Sequence, residues 1–297
     1  MRWISNQGYL LLLITSIAWV GNTIIGKGVT DIIPPVGLAF WRWALTLPIF
    51  LALAWPHLRK DLPELVRQWK ILLLLTILSI SVYNTFIYVG LTETSAINAF
   101  LINTSRPAMI VVLSFIITRE RVTRLQIVGL TIALFGTMAI VSKGEPAVFL
   151  NLEFNTGDLW ILAATGSWAL YTVLLPRRPK VHQTSFLFGA VVLGLLVLSP
   201  FYGWETINVR PVPIRIETFG SVAYLAVLSS VLAYLCYNRA VELLGANRAS
   251  ITSYILPLLG TVLAIVLLGE TFRTYHGVGF VFILIGIYLV ARARKAK

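Results

Sequence analysis

A gapless self-similarity constrains this chain more than any other feature. Displacing the stretch Thr94 to Gly136 by 150 positions brings Ala96 onto Ala246, Ala99 onto Ala249, Pro107 onto Pro257, Glu120 onto Glu270, Gly129 onto Gly279 and Gly136 onto Gly286. Between these points the copies are merely apolar, so what repeats is the set of positions where helices bend, stop or pack closely. An internal duplication follows, and the fold must be two versions of one unit.

What that unit is made of follows from composition. A chain of 297 residues that is 58% hydrophobic and 12% charged has too little polar surface to cover its own apolar atoms in water. Apolar runs of roughly 20 residues recur along it, and ten of them are candidate membrane spans. The fold class expected is therefore all-α integral membrane. The first run is long and is followed by no small-residue cleavage site and hydrophilic mature domain, so no cleavable signal is expected. A single cysteine, Cys236, excludes an internal disulfide framework and a thiolate metal cluster, and neither a metal nor a cofactor is expected.

Lysine and arginine set the orientation. With a cytoplasmic N-terminus, 15 of the 24 fall on inside segments and five (Lys27, Lys143, Arg210, Arg215, Arg273) outside, which places both termini in the cytoplasm. The first copy of the repeat lies in spans 4 and 5 and the second in spans 9 and 10. The unit is thus five helices, divided as 1–146 and 147–297, and an odd number forces the second unit upside down. A weaker match at an offset of 149, Ser16-Ile17-Ala18-Trp19 onto Thr165-Gly166-Ser167-Trp168, extends the duplication to spans 1 and 6. Inverted repeats recur in secondary transporters, whose halves rock about a site near the midplane.

The stretch from Gly90-Leu91-Thr92-Glu93-Thr94-Ser95-Ala96 through Pro107 to Thr118-Arg119-Glu120-Arg121, Gly129 and Gly136 resembles the EamA pattern of the drug/metabolite transporter superfamily. So does the second copy, from Ala240 through Gly245-Ala246, Pro257 and Gly269-Glu270-Thr271 to Gly279 and Gly286. The resemblance covers nearly the whole chain. It implies ten transmembrane helices as two inverted EamA units, cytoplasmic termini and movement of small metabolites, often outward. In length and layout the chain is similar to bacterial aromatic-amino-acid exporters, although the motif is structural and does not identify a substrate.

Among the repeated residues, Pro107 and Pro257 each remove an amide donor inside a span and are expected to kink it. Glu120 and Glu270, at span ends, are expected to be structural, capping the following helix or pairing with an arginine. Gly129, Ala133 and Gly136 share one face, which marks spans 5 and 10 as scaffold or contact surface.

Polar residues inside spans are the candidates for a site. Arg106 falls mid-span beside Pro107, where a charge is costly on insertion scales, and its counterpart in the second copy is Leu256. It is either paired with a carbonyl freed by the proline or a receptor for a substrate carboxylate. Arg42 matches a position where the family often has arginine, and a structural role is expected of it. The remaining candidate lining is Trp19, Asn22, Tyr83, Asn84, Tyr88, Asn98, Asn103, Trp168, Tyr171, Tyr234, Tyr237 and Tyr254, with Asn238, Asn247 and Ser250 nearby. Rings, amides and an arginine suit a zwitterion or carboxylate with an apolar body. Carboxylates are sparse, with Glu93, Asp158 and Glu242 expected at span ends, so facilitated flux or exchange is expected rather than a proton pump.

Convergent nucleophile–base or metal-ligand motifs are missing, which speaks against an intramembrane enzyme. Basic loops fit topology and anionic headgroups, and no nucleic-acid partner is expected. The partners expected are a small-molecule metabolite and the bilayer of a bacterial cytoplasmic membrane, with the chain a monomer or weak homodimer. A channel and a proton-coupled efflux carrier are the competing readings.

Overall fold

The computed structural model describes residues 7–119, 123–145, 155–244 and 252–292, all of whose regular structure is helical. The elements are α1 (Gly8–Gly28), α2 (Pro35–Arg67), α3 (Trp69–Glu93), α4 (Ala96–Asn103), α5 (Arg106–Thr118), α6 (Arg124–Val141), α7 (Thr156–Leu174), α8 (Gln183–Asn208), α9 (Ile216–Leu244), α10 (Thr252–Leu268) and α11 (Thr274–Arg292). Seven segments are long and apolar enough to cross a membrane, with α4 and α5 counted together as Ala96–Ile117. Three shorter apolar helices, α6, α10 and α11, complete the ten expected spans.

Two features differ from simple spans. The stretch Pro56 to Pro63, whose prolines and charges predict a connection between spans 2 and 3, does not end α2, which runs as one helix through Pro48, Pro56 and Pro63. Each proline deletes one amide while the flanking ladder persists, so spaced prolines bend a helix without stopping it. Conversely, the fourth span is interrupted. Its ladder tightens to Thr104 N–H on Leu101 O and Ser105 N–H on Ile102 O, both 3.0 Å, and a new helix starts at Arg106 with Pro107 in its first turn. There the missing donor of proline costs nothing, so Pro107 opens a half-helix rather than kinking a continuous one. Pro257 lies within α10, which continues through it.

The helices pair across the two halves: α1 with α9, α2 with α8, α3 with α7, α4 with α10, and α6 with α11. Exchanging the two five-helix units maps this set onto itself, as inverted repeats about a common axis require. The α6–α11 pair is held at backbone distance. A Cβ on Gly136 would meet Gly279 O at 2.5 Å, one on Gly279 would meet Gly136 O at 2.7 Å, and Gly286 faces Gly129 O and Ala133. Glycine is thus required there for contact of the two backbones. Gly90 and Gly157 do the same for α3 and α7, where a Cβ on Gly90 would meet Gly157 O at 2.8 Å and one on Gly157 would meet Gly90 O at 2.7 Å.

The halves also share a device with no signature in residue type. Spans 3 and 8 both widen to π-helix at mid-length, over Ile77–Val82 and Leu225–Leu232. A π turn shifts carbonyls off the α ladder and frees them for other donors.

Candidate functional site

Those π stretches face the centre and supply its acceptors. Arg42, 1% exposed, lies there with its guanidinium saturated. Its Nε donates to Ser230 Oγ at 2.6 Å, and its Nη2 to Ser229 O at 3.1 Å. Its Nη1 donates to Asn22 Oδ1 (2.7 Å), Asn84 Oδ1 (2.8 Å) and Tyr88 OH (2.8 Å). Tyr88 in turn donates to Asn22 Oδ1, and Asn84 Nδ2 to Ser79 O in the other π stretch. One arginine thereby ties α1, α2, α3 and α9 together.

Beside this hub, Trp168 of α7 is packed by five other rings. Tyr83 (4.6 Å between centroids), Tyr171 (5.0 Å), Trp19 (5.4 Å), Tyr234 (5.6 Å) and Tyr237 (5.9 Å) surround it. Arg106 closes the cluster, with its guanidinium carbon 5.7 Å from the ring centres of both Tyr83 and Trp168. Its Nη2 donates to Asn103 Oδ1 at 2.6 Å and to Tyr83 OH at 3.1 Å. Its Nε is buried without a partner. Asn103 Oδ1 also accepts from Thr165 of α7, at 3.1 Å.

Among the described residues the two guanidiniums have no counter-ion. The ion pairs among the described residues are Arg67–Glu64, Arg178–Glu242 and Arg239–Glu242, and none involves Arg42 or Arg106. Asn238, on the same face of α9 as Tyr234 and Tyr237, is 2% exposed with neither amide atom bonded. A buried amide of this kind is rare in a settled core.

A second polar cluster sits at the end of α7 near the α3–α4 connection. Asp158 is fully buried. It accepts from Thr94 Oγ1 at 2.5 Å and, through both oxygens, from Asn98 Nδ2 at 3.1 Å. Asn98 Oδ1 is 2.8 Å from His276 Nε2, whose Nδ1 accepts from Arg273 N–H. These roles make the imidazole neutral with its proton on Nε2. A polar cavity of about 930 Å3, lined by Lys27, Asn98, Lys143, Glu270 and Arg273 among others, opens onto Asn98.

The sequence candidates therefore separate. Trp19, Tyr83, Asn103, Arg106, Trp168, Tyr171, Tyr234 and Tyr237 come together at the ring cluster. Asn22, Asn84 and Tyr88 belong to the Arg42 hub, and Asn98 lies apart in the Asp158 cluster. The side chain of Tyr254, and Glu120, Asn247 and Ser250, lie outside what is described. Glu270 does not cap the helix that follows it. Its two oxygens accept from the amides of Ala96 and Ile97, at 2.7 and 2.9 Å, and so cap α4 of the other half. Arg239 and Glu242 pair at 3.3 Å, as the spacing predicts. Ser229, Ser230, Asp158, Thr165 and His276 were not anticipated. Adjacent mid-span serines were the one available signal.

Comparison with known proteins agrees with this architecture. The EamA-like transporter family matches twice, over residues 6–142 and 155–292. The chain is 26% identical to the uncharacterized transporter YyaM of Bacillus subtilis over 94% of its length and 92% of the relative's. It is 29% identical to an uncharacterized transporter of Archaeoglobus fulgidus, over 96% and 97% of the two chains. Protein PagO of Salmonella typhimurium is 24% identical over 96% and 93%. A solved crystal structure matches with TM-score 0.64 and 16% identity over 95% of each chain, a likeness of fold alone. The protein belongs to the EamA-like transporter family and is a multi-pass membrane transporter.

Proposed function

We propose that the chain exports amino acids with apolar, aromatic side chains, or related carboxylates, across the bacterial cytoplasmic membrane by alternating access, with both termini inside. The observation that carries this reading is Arg106. It is a buried cation with no counter-ion among the described residues and an unused Nε–H, set over two aromatic faces at the break of a span. A guanidinium stacked on rings receives a planar carboxylate while the rings take the apolar body. The open amide of Asn238 supplies an acceptor for an ammonium group on the same face as Tyr234 and Tyr237.

Saturable uptake of radiolabelled amino acids into proteoliposomes tests the proposal. Arg106→Ala is expected to lower transport of carboxylate-bearing solutes by about 10-fold or more, with thermal stability nearly unchanged. Unchanged flux in the folded variant removes Arg106 from the site. Unsaturable flux indicates a channel.

Flux without a coupled ion was expected because carboxylates are sparse and stand at span ends. Asp158 does stand in the first turn of α7, yet it is fully buried, and a second reading, proton-coupled export, gains support from this residue.

A further inference from the structure

We propose that Asp158 is a proton-binding site, and that proton entry at this carboxylate drives solute exit by releasing α4. The inference rests on the carrier reading above and assigns its coupling ion.

Asp158 is a buried carboxyl with no cation bonded to it among the described residues. Its ionised form is held only by neutral donors, Thr94 Oγ1 and Asn98 Nδ2. Such a balance is delicate, because a desolvated charge persists only while every donor stays in place. Adding a proton to Oδ2 turns one of the two acceptors of Asn98 Nδ2 into a hydroxyl and removes the charge, so that Oδ1, already engaged by Thr94 Oγ1, is left as the acceptor of that hydrogen. Asn98 cannot turn its oxygen inward to accept the new O–H, since Oδ1 is engaged by His276 Nε2. The protonated acid therefore holds Asn98 more weakly than the carboxylate does.

What moves is set by the size of α4, only eight residues long. It is held at one end by Glu270 on its first amides and by Asn98, and at the other by Asn103, which bonds Arg106 and Thr165. Asn98 and Asn103 are five residues apart, about 7.5 Å of helix. Weakening of the Asn98 bond thus acts, along one short helix, on the residue that positions Arg106. The proton arrives through the polar cavity that Asn98 lines, which faces outward in the proposed orientation. In each cycle one proton enters, forms the neutral acid, and leaves on the inside as the carboxylate is restored, while one solute goes out.

Other ionisable groups face this cluster. Lys27 of α1 donates to Leu91 O and Thr94 O, and Glu93 at the end of α3 bonds Thr156. Lys143 and Glu145 follow α6, and Glu270, Arg273, Tyr275 and His276 lie at the start of α11. His276 already uses both nitrogens, so protonating it breaks the bond from Arg273 rather than that to Asn98.

Hydrogen–deuterium exchange of the full chain in lipid nanodiscs, read on the amides of Ala96–Asn103 and corrected for intrinsic rates, tests this without any solute. Protection is expected to fall about 10-fold or more between about pH 8 and about pH 5 in the wild type. Asp158→Asn is expected to be equally unprotected at both, and His276→Gln to retain the transition. Thr94→Val, which removes a donor from the carboxylate, should move the transition to higher pH. Protection independent of pH in the wild type, or a transition surviving in Asp158→Asn, overturns the proposal. If Asp158→Asn does not fold, Thr94→Val decides, and an unmoved or lowered midpoint overturns it. In proteoliposomes, movement of radiolabelled phenylalanine driven by a pH gradient should vanish in Asp158→Asn while phenylalanine exchange persists. Wild-type vesicles with no phenylalanine exchange count against the substrate reading, and the amide measurement still decides on Asp158.

Discussion

Arg42 and Arg106 are both buried guanidiniums, yet their neighbours assign them different work. Arg42 has a partner on each of its nitrogens, from three other spans. Removing it takes a donor from Asn22, Asn84, Tyr88 and Ser230 at once, and leaves Asn84 Oδ1 buried without its donor. Arg42→Ala is therefore expected to destabilise the fold by about 3 kcal/mol or more, read as a fall in the thermal midpoint by tryptophan fluorescence in detergent. Arg106 keeps an unused donor and stacks on rings, and its truncation should be felt in transport first. The sequence singled out both arginines because charge is scarce inside spans. It did not reveal that Asn22, Asn84 and Tyr88 converge on Arg42, because they come from separate spans whose relative rotation no local pattern encodes. Ser229 and Ser230 showed only as adjacent mid-span serines, and their role was hidden for another reason: they lie in a π stretch, whose residues look like any apolar helix.

Among elements, close helix contacts were the most legible, since glycine at helical spacing has few other uses in a span. Gly136 and Gly279 do touch each other's backbone. Gly136→Leu is expected to separate α6 from α11 and to reduce the yield of folded protein, whereas Gly166→Ala should be tolerated. A Cβ on Gly166 finds only Met109 Sδ, at 3.9 Å, across an apolar groove of about 890 Å3. Yield and thermal midpoint of the two variants give the comparison. Prolines were legible as perturbations and not as outcomes. Pro107 begins a helix because its position falls in a first turn, while the three prolines of α2 leave a continuous 33-residue helix. The span end expected of Asp158 was legible too, but not its burial, which depends on Gly90 and Gly157 bringing α3 and α7 into backbone contact.

At the scale of the whole molecule, odd repeat length and charge bias carry the orientation. A reporter that is active only in the cytoplasm, fused after Lys297, is expected to be active; an inactive fusion in a stably expressed chain would reverse the inside and outside faces used here. The helix pairing, being its own image under exchange of the halves, makes opening to one side and opening to the other nearly the same rearrangement run in opposite senses. Backbone architecture alone then gives no preference between the two. Any preference has to come from residues that the halves do not share. Arg106 stands against Leu256 at an offset of 150, and Asp158 against Tyr9 at 149. Tyr9 is 57% exposed and holds no buried carboxylate at the opposite face. Any preferred direction of transport in such a protein is thus written in a few mismatches between two copies of one sequence, and a variant that made the copies alike would work as a revolving door.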